Sequence, residues 1–401
     1  MRIAKGVPDA AKRNLPGPRV LMVAGEASGD MHGADLVGEL GALVPGLRVR
    51  GIGGRRLRSA GMETLVDNSA VATMGFFEAR ERLGTVLRAY RQMRRLLLVE
   101  PPDLLILIDF AEFNLALAAV ARRRGIPVLY YIAPQVWAWR RGRIRKIARR
   151  VDRLAVVFPF EVALYAGSGV NVEFVGHPLL DRVSPSRARA ETMKIHGLDP
   201  AKRLVALLPG SRAKEVRYIL PAMADAAEQL AARGDCQCAL ALADTLSRED
   251  IAASITGRTL AAVVVRGDTY NLVYASDLAL VASGTATLET ALLGRPMVIA
   301  YRLSALTFAL ARRLVAVPFI GMPNLIAGKP VVPELVQTDV TGRRLVAEAA
   351  RLLDDPARRA ATIAALAEVR GKLGSGGAAR RTAEIAAEML GVSRAKVGEA
   401  R

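Results

Sequence analysis

From Arg19 onward, short apolar runs alternate with glycine-containing turns and amphipathic stretches, and this pattern recurs along most of the chain. Runs at residues 20–24, 104–108, 128–132 and 154–158 predict strands buried on both faces. A second series follows at 204–208, 238–242, 262–265, 278–281 and 297–301. Strands separated by helices imply parallel sheets covered on both sides, so the pattern predicts an α/β chain of two doubly wound domains. Residues 176–189, rich in Pro, Ser and charge, suit a linker at the mouth of a cleft between them. The expected layout is a tail over 1–18, a first domain over 19–185, a second over 186–358, and C-terminal helices with a tail over 359–401. Residues 340–390 are Ala-rich with helical period and a glycine-rich break at 371–377, which predicts a packed helix pair.

A further helix is predicted over 81–99, with Leu83, Val86, Leu87, Tyr90 and Leu97 on one face and Arg88, Arg91, Arg94 and Arg95 opposite. Met74 and the pair Phe76–Phe77 precede it. This period suits either packing on a sheet or anchoring in a membrane interface.

Composition narrows the class. Of 401 residues 52% are hydrophobic and 24% charged, enough core for more than one domain at about 150 residues each. Lys and Arg outnumber Asp and Glu by 57 to 38, and the net charge of +19 favours phosphate-bearing partners: nucleotides, nucleic acid or anionic lipid. Cys236 and Cys238 share one face of a strand, so they read as reduced core thiols. His32, His177 and His196 lack the spacing of a zinc site, and no metal or cofactor is expected. The first residues lack the apolar core of a secretory signal, and no run of about 18 uncharged apolar residues occurs. A cytoplasmic protein with at most peripheral membrane contact is the expectation.

Two turns carry a phosphate signal. Residues 204–208 run into Pro209-Gly210-Ser211-Arg212 and a helix from near Ala213, where free amides and the Arg212 guanidinium can hold a diphosphate. Ser283-Gly284-Thr285-Ala286-Thr287-Leu288-Glu289 repeats the device, with Glu289 able to accept from a ribose diol. An ordinary strand-to-helix turn, with Ser283 as its cap, fits the same residues. In the first half, Gly25-Glu26-Ala27-Ser28-Gly29-Asp30 reads as a loop at the sheet's carboxyl edge ahead of a helix from about His32. Its carboxylates disfavour a pyrophosphate, so sugar hydroxyls are the better fit. Asp109, just beyond 104–108, is either a general base or a helix cap. Trp137 and Trp139 follow a strand and suit stacking on a sugar or uracil, and Gln135 beside them can bond hydroxyls, although core packing is the commoner explanation for any single ring. The cations from Arg140 to Arg153 form either a lipid-phosphate surface or a solvated helix face.

Together GEASGD at 25–30, IDFAEFN at 108–114, PQVWAWR at 134–140, FVGHPL at 174–179, LLPGSR at 207–212, ASGTATLE at 282–289 and MPNLIAG at 322–328 resemble the lipid A disaccharide synthase family. The resemblance implies a GT-B fold of two Rossmann-like domains facing a cleft, with C-terminal helices crossing back to the first domain. It implies an inverting, metal-independent transfer of 2,3-diacylglucosamine from its UDP form to 2,3-diacylglucosamine 1-phosphate, giving a β-1,6 linkage. It also implies the roles: Asp109 as base, and Arg212 with amides around Gly210, Ser211, Gly284 and Thr285 on the diphosphate. Glu289 would hold the ribose, while Glu26, Ser28, Gly29, Asn114 and Asn324 would lie near the substrate. The acyl chains give Met74, Phe76 and Phe77 a contact, and the anionic inner-membrane surface a reason for the basic faces. Two segments depart from the family pattern: Phe110-Ala111-Glu112 where it more often reads Ala-Pro-Asp, and Gly53-Gly54-Arg55-Arg56-Leu57 where it is GGPRM-like. The rival readings are a UDP-N-acetylglucosamine 2-epimerase, the transferase that forms lipid II, or, from another class, a basic nucleic-acid binder, for which no recognition motif is present.

Overall fold

A computed structural model describes residues 17–71, 79–134, 136, 142–305, 307–308 and 317–392. The chain divides into two compact units. Unit 1 holds the described residues up to Pro178 and the stretch from Gly377 onward, and unit 2 holds Leu179–Gly376.

Unit 1 is built from β1 (Arg19–Ala24), α1 (Ala27–Leu43), β2 (Arg48–Gly53), α2 (Arg55–Ser59), β3 (Glu63–Asp67), α3 (Ala79–Val99), β4 (Leu104–Ile108), α4 (Ala111–Arg123), β5 (Val128–Tyr131), α5 (Arg143–Ala148), β6 (Arg153–Val156), α6 (Pro159–Tyr165) and β7 (Asn171–Phe174). Its sheet is parallel, in the order β3-β2-β1-β4-β5-β6-β7. All five residues of β4, Leu-Leu-Ile-Leu-Ile, are fully buried, which suits a central strand covered on both faces. Each such side chain contributes about 1.5–3 kcal/mol of burial. Helix α3 packs through Ala89, Met93 and Leu97, with Tyr90 edge-on to Phe113, and leaves Arg88, Arg91, Arg94 and Arg95 exposed.

Unit 2 comprises α7 (Arg189–Ile195), β8 (Arg203–Leu208), α8 (Ala213–Ala231), β9 (Cys236–Leu242), α9 (Arg248–Ser254), β10 (Val263–Arg266), α10 (Thr269–Ala275), β11 (Leu278–Ala282), α11 (Thr285–Leu292), β12 (Met297–Tyr301), α12 (Met322–Ala327), β13 (Glu334–Val336), α13 (Gly342–Leu353) and α14 (Pro356–Lys372). The parallel order is β10-β9-β8-β11-β12-β13. Cys236 and Cys238 are free and buried in its core, where burial pushes their thiols up to about 11 and about 12.

The C-terminal stretch forms three helices rather than a pair. Asp355 caps α14 by accepting from the Arg358 amide, with Pro356 in the first turn, so the chain breaks at 354–355 as well as at the glycines. Only the last helix, α15 (Ala378–Met389), returns to unit 1, where it packs on α1 and Arg381 bonds the Val175 carbonyl. Among the described residues, no helix is long and apolar enough to cross a membrane.

The expected basic helix over 140–153 is corrected. Helix α5 stops at Ala148 and Arg153 lies in β6, where it pairs with Glu173 and Glu388. Arg143 is buried against Glu112, and Arg150 donates to the Leu115 carbonyl at 2.9 Å. Internal partners thus claim several of these cations, and Arg145, Lys146 and Arg149 stay exposed.

Candidate active site

In each sheet the strand order reverses at one place, and the crevice at such a switch point is where open α/β folds bind ligands. In unit 1 it lies between β1 and β4, whose ends are paired through Ala24 and Ile108. Glu26 follows one strand and Asp109 the other, and both belong to motifs singled out above.

Asp109 and Phe110 both adopt left-handed backbone, with φ of 46° and 47°. For non-glycine residues such a conformation persists only where the surroundings impose it. Three groups do so. Asn114, fully buried on α4, donates from Nδ2 to the carbonyls of Ile108 at 3.1 Å and Asp109 at 2.7 Å. The Tyr130 hydroxyl donates to the same Asp109 carbonyl at 2.6 Å. Phe110 stacks on Phe113 at 4.9 Å and lies against Gly25, where an added Cβ would sit 2.4 Å from the ring. Any larger residue at 25 would displace Phe110. Burial, and secondarily the charge of Glu26, push the Asp109 carboxyl up to about 6.

The GEASGD segment is not a loop. Ala27–Asp30 form the first turn of α1, which starts well before His32. Gly29 is buried, its Cβ position 3.4 Å from Ala24 and 3.6 Å from Ile108, so it lets the helix lie close to the sheet. Asp30 takes the amides of Gly54, Arg56 and Leu57 at 2.6, 3.0 and 3.1 Å, capping α2 across the Gly53–Leu57 segment. Its carboxylate is committed to structure, while Glu26 is half-buried and Ser28 exposed. Glu112, the departure from the family pattern, pairs with Arg143. Burial and nearby His32 push His177 down to about 3, so it is neutral beside the Phe158 ring.

Unit 2 reverses between β8 and β11, and a cavity of about 800 Å³ opens there. The β8–α8 turn supplies Gly210, Ser211, Arg212 and Glu215, and the β11–α11 turn supplies Ser283, Gly284, Thr285, Ala286 and Glu289. Gly210 has φ +114°, a region closed to side chains, and an added Cβ would meet Glu215 Oε2 at 2.8 Å. Amides at the start of α8 and α11 have no preceding helical turn to accept them, so both helices offer donors to an anion. The Arg212 side chain, 78% exposed, bonds Glu215 at 3.0 Å. Glu289 accepts from the Tyr270 hydroxyl at 2.8 Å. Burial raises its pKa, and that bond opposes the rise.

Several expectations for this half change. Ser283 does not cap α11; its hydroxyl donates to the Ile320 carbonyl at 3.2 Å, and Gly284 occupies the cap position. Thr287 is buried and spends its hydroxyl on the Gly284 carbonyl at 2.8 Å, so it shapes the turn rather than lining the cavity. Asn324 is fully buried, giving Nδ2 to Val332 O and Glu334 and taking the amides of Val331 and Val332. It fixes the approach to β13 and is absent from the cavity lining. Asn114 spends its Nδ2 on the Ile108 and Asp109 carbonyls. Met74, Phe76, Phe77, Gln135 and Trp137 lie outside the described residues.

The sequence reading missed Tyr130, Tyr270 and the Asp268 cluster. Asp268 binds Arg187, Asn271 Nδ2 at 2.6 Å and His196 Nε2 at 2.7 Å, and Asn271 Oδ1 takes the Ser186 amide at 2.8 Å. Gly267-Asp268-Thr269 between β10 and α10 is a third strand-to-helix turn, and that pattern was the available signal.

Two Rossmann-like parallel-sheet units, each with its candidate residues at a switch point, define the class of GT-B glycosyltransferases and the related epimerases. Solved structures of that class match: a putative UDP-N-acetylglucosamine 2-epimerase from Listeria monocytogenes (TM-score 0.61, 15% identity, 94% of this chain and 98% of that one) and the glycosyltransferase of kitacinnamycin (TM-score 0.62, 17% identity, 94% and 99%). At such identities they show the fold. A profile described as lipid-A-disaccharide synthetase matches residues 20–389. The lipid-A-disaccharide synthases of Geobacter metallireducens and Geobacter sulfurreducens are each 50% identical, over 380 and 374 residues, covering 94% and 93% of this chain and 99% and 97% of theirs. The chain belongs to the lipid-A-disaccharide synthase family, glycosyltransferases of lipid A biosynthesis.

Proposed function

We propose that the chain transfers 2,3-diacylglucosamine from UDP-2,3-diacylglucosamine to the 6-hydroxyl of 2,3-diacylglucosamine 1-phosphate, inverting the anomeric carbon to give a β-1,6-linked disaccharide 1-phosphate and UDP. One observation carries the reading: Asp109 sits at the switch point of unit 1 with its carboxyl pushed up to about 6. A base with that pKa is mostly ionised at neutral pH yet takes up a proton readily. The acceptor's hydroxyl proton passes to Asp109 as its oxygen attacks the anomeric carbon. The bond from that carbon to the diphosphate breaks, and the electron pair leaves with UDP. Arg212 and the amides around Gly210, Ser211, Gly284 and Thr285 stabilise the charge gathering on the diphosphate, without metal or cofactor. Glu289 accepts from the ribose diol, and Glu26 and Ser28 serve the sugar in unit 1.

On this reading unit 1 takes the acylated acceptor and unit 2 the UDP-sugar. The exposed arginines of α3, together with Leu87 at 43% and Val99 at 66% exposure, fit peripheral contact with the anionic cytoplasmic face of the inner membrane. Loss of binding to anionic vesicles in the double variant Phe76→Ser, Phe77→Ser tests that contact, and retained binding counts against it.

Substrate class is tested with UDP-glucosamine donors carrying or lacking acyl chains, in mixed micelles, with proton NMR of the product. Acyl-dependent formation of a β-linked disaccharide is expected. Interconversion of UDP-N-acetylglucosamine without acceptor would assign an epimerase instead.

A further inference from the structure

Tyr130 is the fully buried third residue of β5, paired in register with Leu107 of β4, one strand away from Asp109. Its hydroxyl shares the Asp109 carbonyl oxygen with Asn114 Nδ2, the two donors lying 2.6 and 2.7 Å away. A carbonyl oxygen has two lone pairs, and both are occupied here by rigid, buried donors. They converge on the first of two consecutive left-handed residues, so they hold the peptide whose conformation sets where the Asp109 side chain leaves the backbone.

We propose that Tyr130 is a positioning residue for the reaction: its hydroxyl locks the Asp109–Phe110 turn in the left-handed conformation that keeps the carboxylate beside Glu26 at the sheet edge. Tyr130 acts through Asp109 and does not meet substrate. Burial and the neighbouring Asp109 charge push its phenol well above its usual range, so it stays a protonated donor at every working pH. Arg143 and Tyr165 are the other charged or titratable groups that bear on it. Without the hydroxyl, Asn114 is the one remaining donor on the Asp109 carbonyl and only it and the Phe110 packing oppose relaxation of the strained pair, and relaxation moves the carboxylate out of its half-buried place toward water.

The inference rests on Asp109 being the base, so the test includes Asp109→Asn beside Tyr130→Phe. Tyr165→Phe serves as control, removing another buried hydroxyl from the same core without touching the turn. Wild type and the three variants are assayed in mixed micelles over a range of pH, with thermal melts. For Tyr130→Phe we expect kcat to fall about 10–100-fold with KM changed less than about two-fold, as misplacement of a reacting group predicts. Its acid limb should move from about 6 toward an ordinary aspartate's ~4, while Tyr165→Phe keeps wild-type rate and profile. If Asp109→Asn is inactive but Tyr130→Phe matches wild type in rate and acid limb, the positioning role is overturned and the base stands. An equal loss in Tyr165→Phe, or a Tyr130→Phe that no longer melts cooperatively, would make the hydroxyl a general fold determinant and also overturn it. An active Asp109→Asn removes the base itself, and the inference with it.

Discussion

Replacing Asp109 with asparagine separates what the carboxylate does for catalysis from what it costs the fold. Burial and the Glu26 charge push this group up to about 6, against about 3.9 for an aspartate in an unfolded chain. Ionisation is therefore harder in the folded state. Below about pH 4 both states are protonated and nothing is lost; the penalty grows as pH rises between the two values and is complete above about 6. At about 1.4 kcal/mol per tenfold, it reaches about 2–3 kcal/mol at pH 8 and roughly half that at pH 5. Asparagine preserves the shape, tolerates left-handed backbone and carries no charge. Asp109→Asn should thus be more stable than wild type while losing activity about 100-fold or more. For a unit of this size the gain corresponds to roughly 4–10 °C at pH 8, shrinking by about half at pH 5. Scanning calorimetry at both pH values checks it. A variant no more stable than wild type, or a gain that does not depend on pH, would mean that the Asp109 carboxylate carries no burial penalty.

Three other substitutions probe the remaining parts. Arg212→Ala should weaken UDP binding about 10–100-fold by titration calorimetry, and leave the unfolding midpoint unchanged because the side chain is 78% exposed. Tyr270→Phe frees Glu289 from its hydrogen bond, so affinity for UDP should fall about five-fold while affinity for 2′,3′-dideoxy-UDP changes little. Asn324→Ala strands the buried groups that it now pairs, and urea unfolding should show a loss of about 3–5 kcal/mol.

The central strands were legible because they are pure apolar runs: β4 and β11 are buried at every residue, and their bounds follow the sequence closely. The strands the pattern missed are those whose residues also meet solvent or lack side chains. β2 reads Arg-Val-Arg-Gly-Ile-Gly, β3 and β7 stand at the sheet edges, and β13 has three residues. The start of α1 was hidden by Gly29 and Gly33, poor helix formers that are present because the helix lies close to Ile108 and Leu57. In the candidate site, Gly210 and Asp109 announce themselves by following a buried strand. Asn114 and Asn324 carry no such mark, since an amide bonded to backbone and one that meets substrate look alike in a sequence. Tyr130 was visible only as one aromatic of an apolar run, and its hydroxyl's partner, a carbonyl one strand away, is a product of the sheet order.

Asp109 as the base of this transfer is tested most directly by following UDP release and disaccharide 1-phosphate formation from both acylated glucosamine substrates, in mixed micelles with EDTA, for wild type and Asp109→Asn. Product is expected from wild type, with a rate at least about 100-fold lower in the variant. Wild-type product at an undiminished rate in Asp109→Asn would contradict the assignment of the base, and absence of product from wild type would contradict the proposed reaction itself.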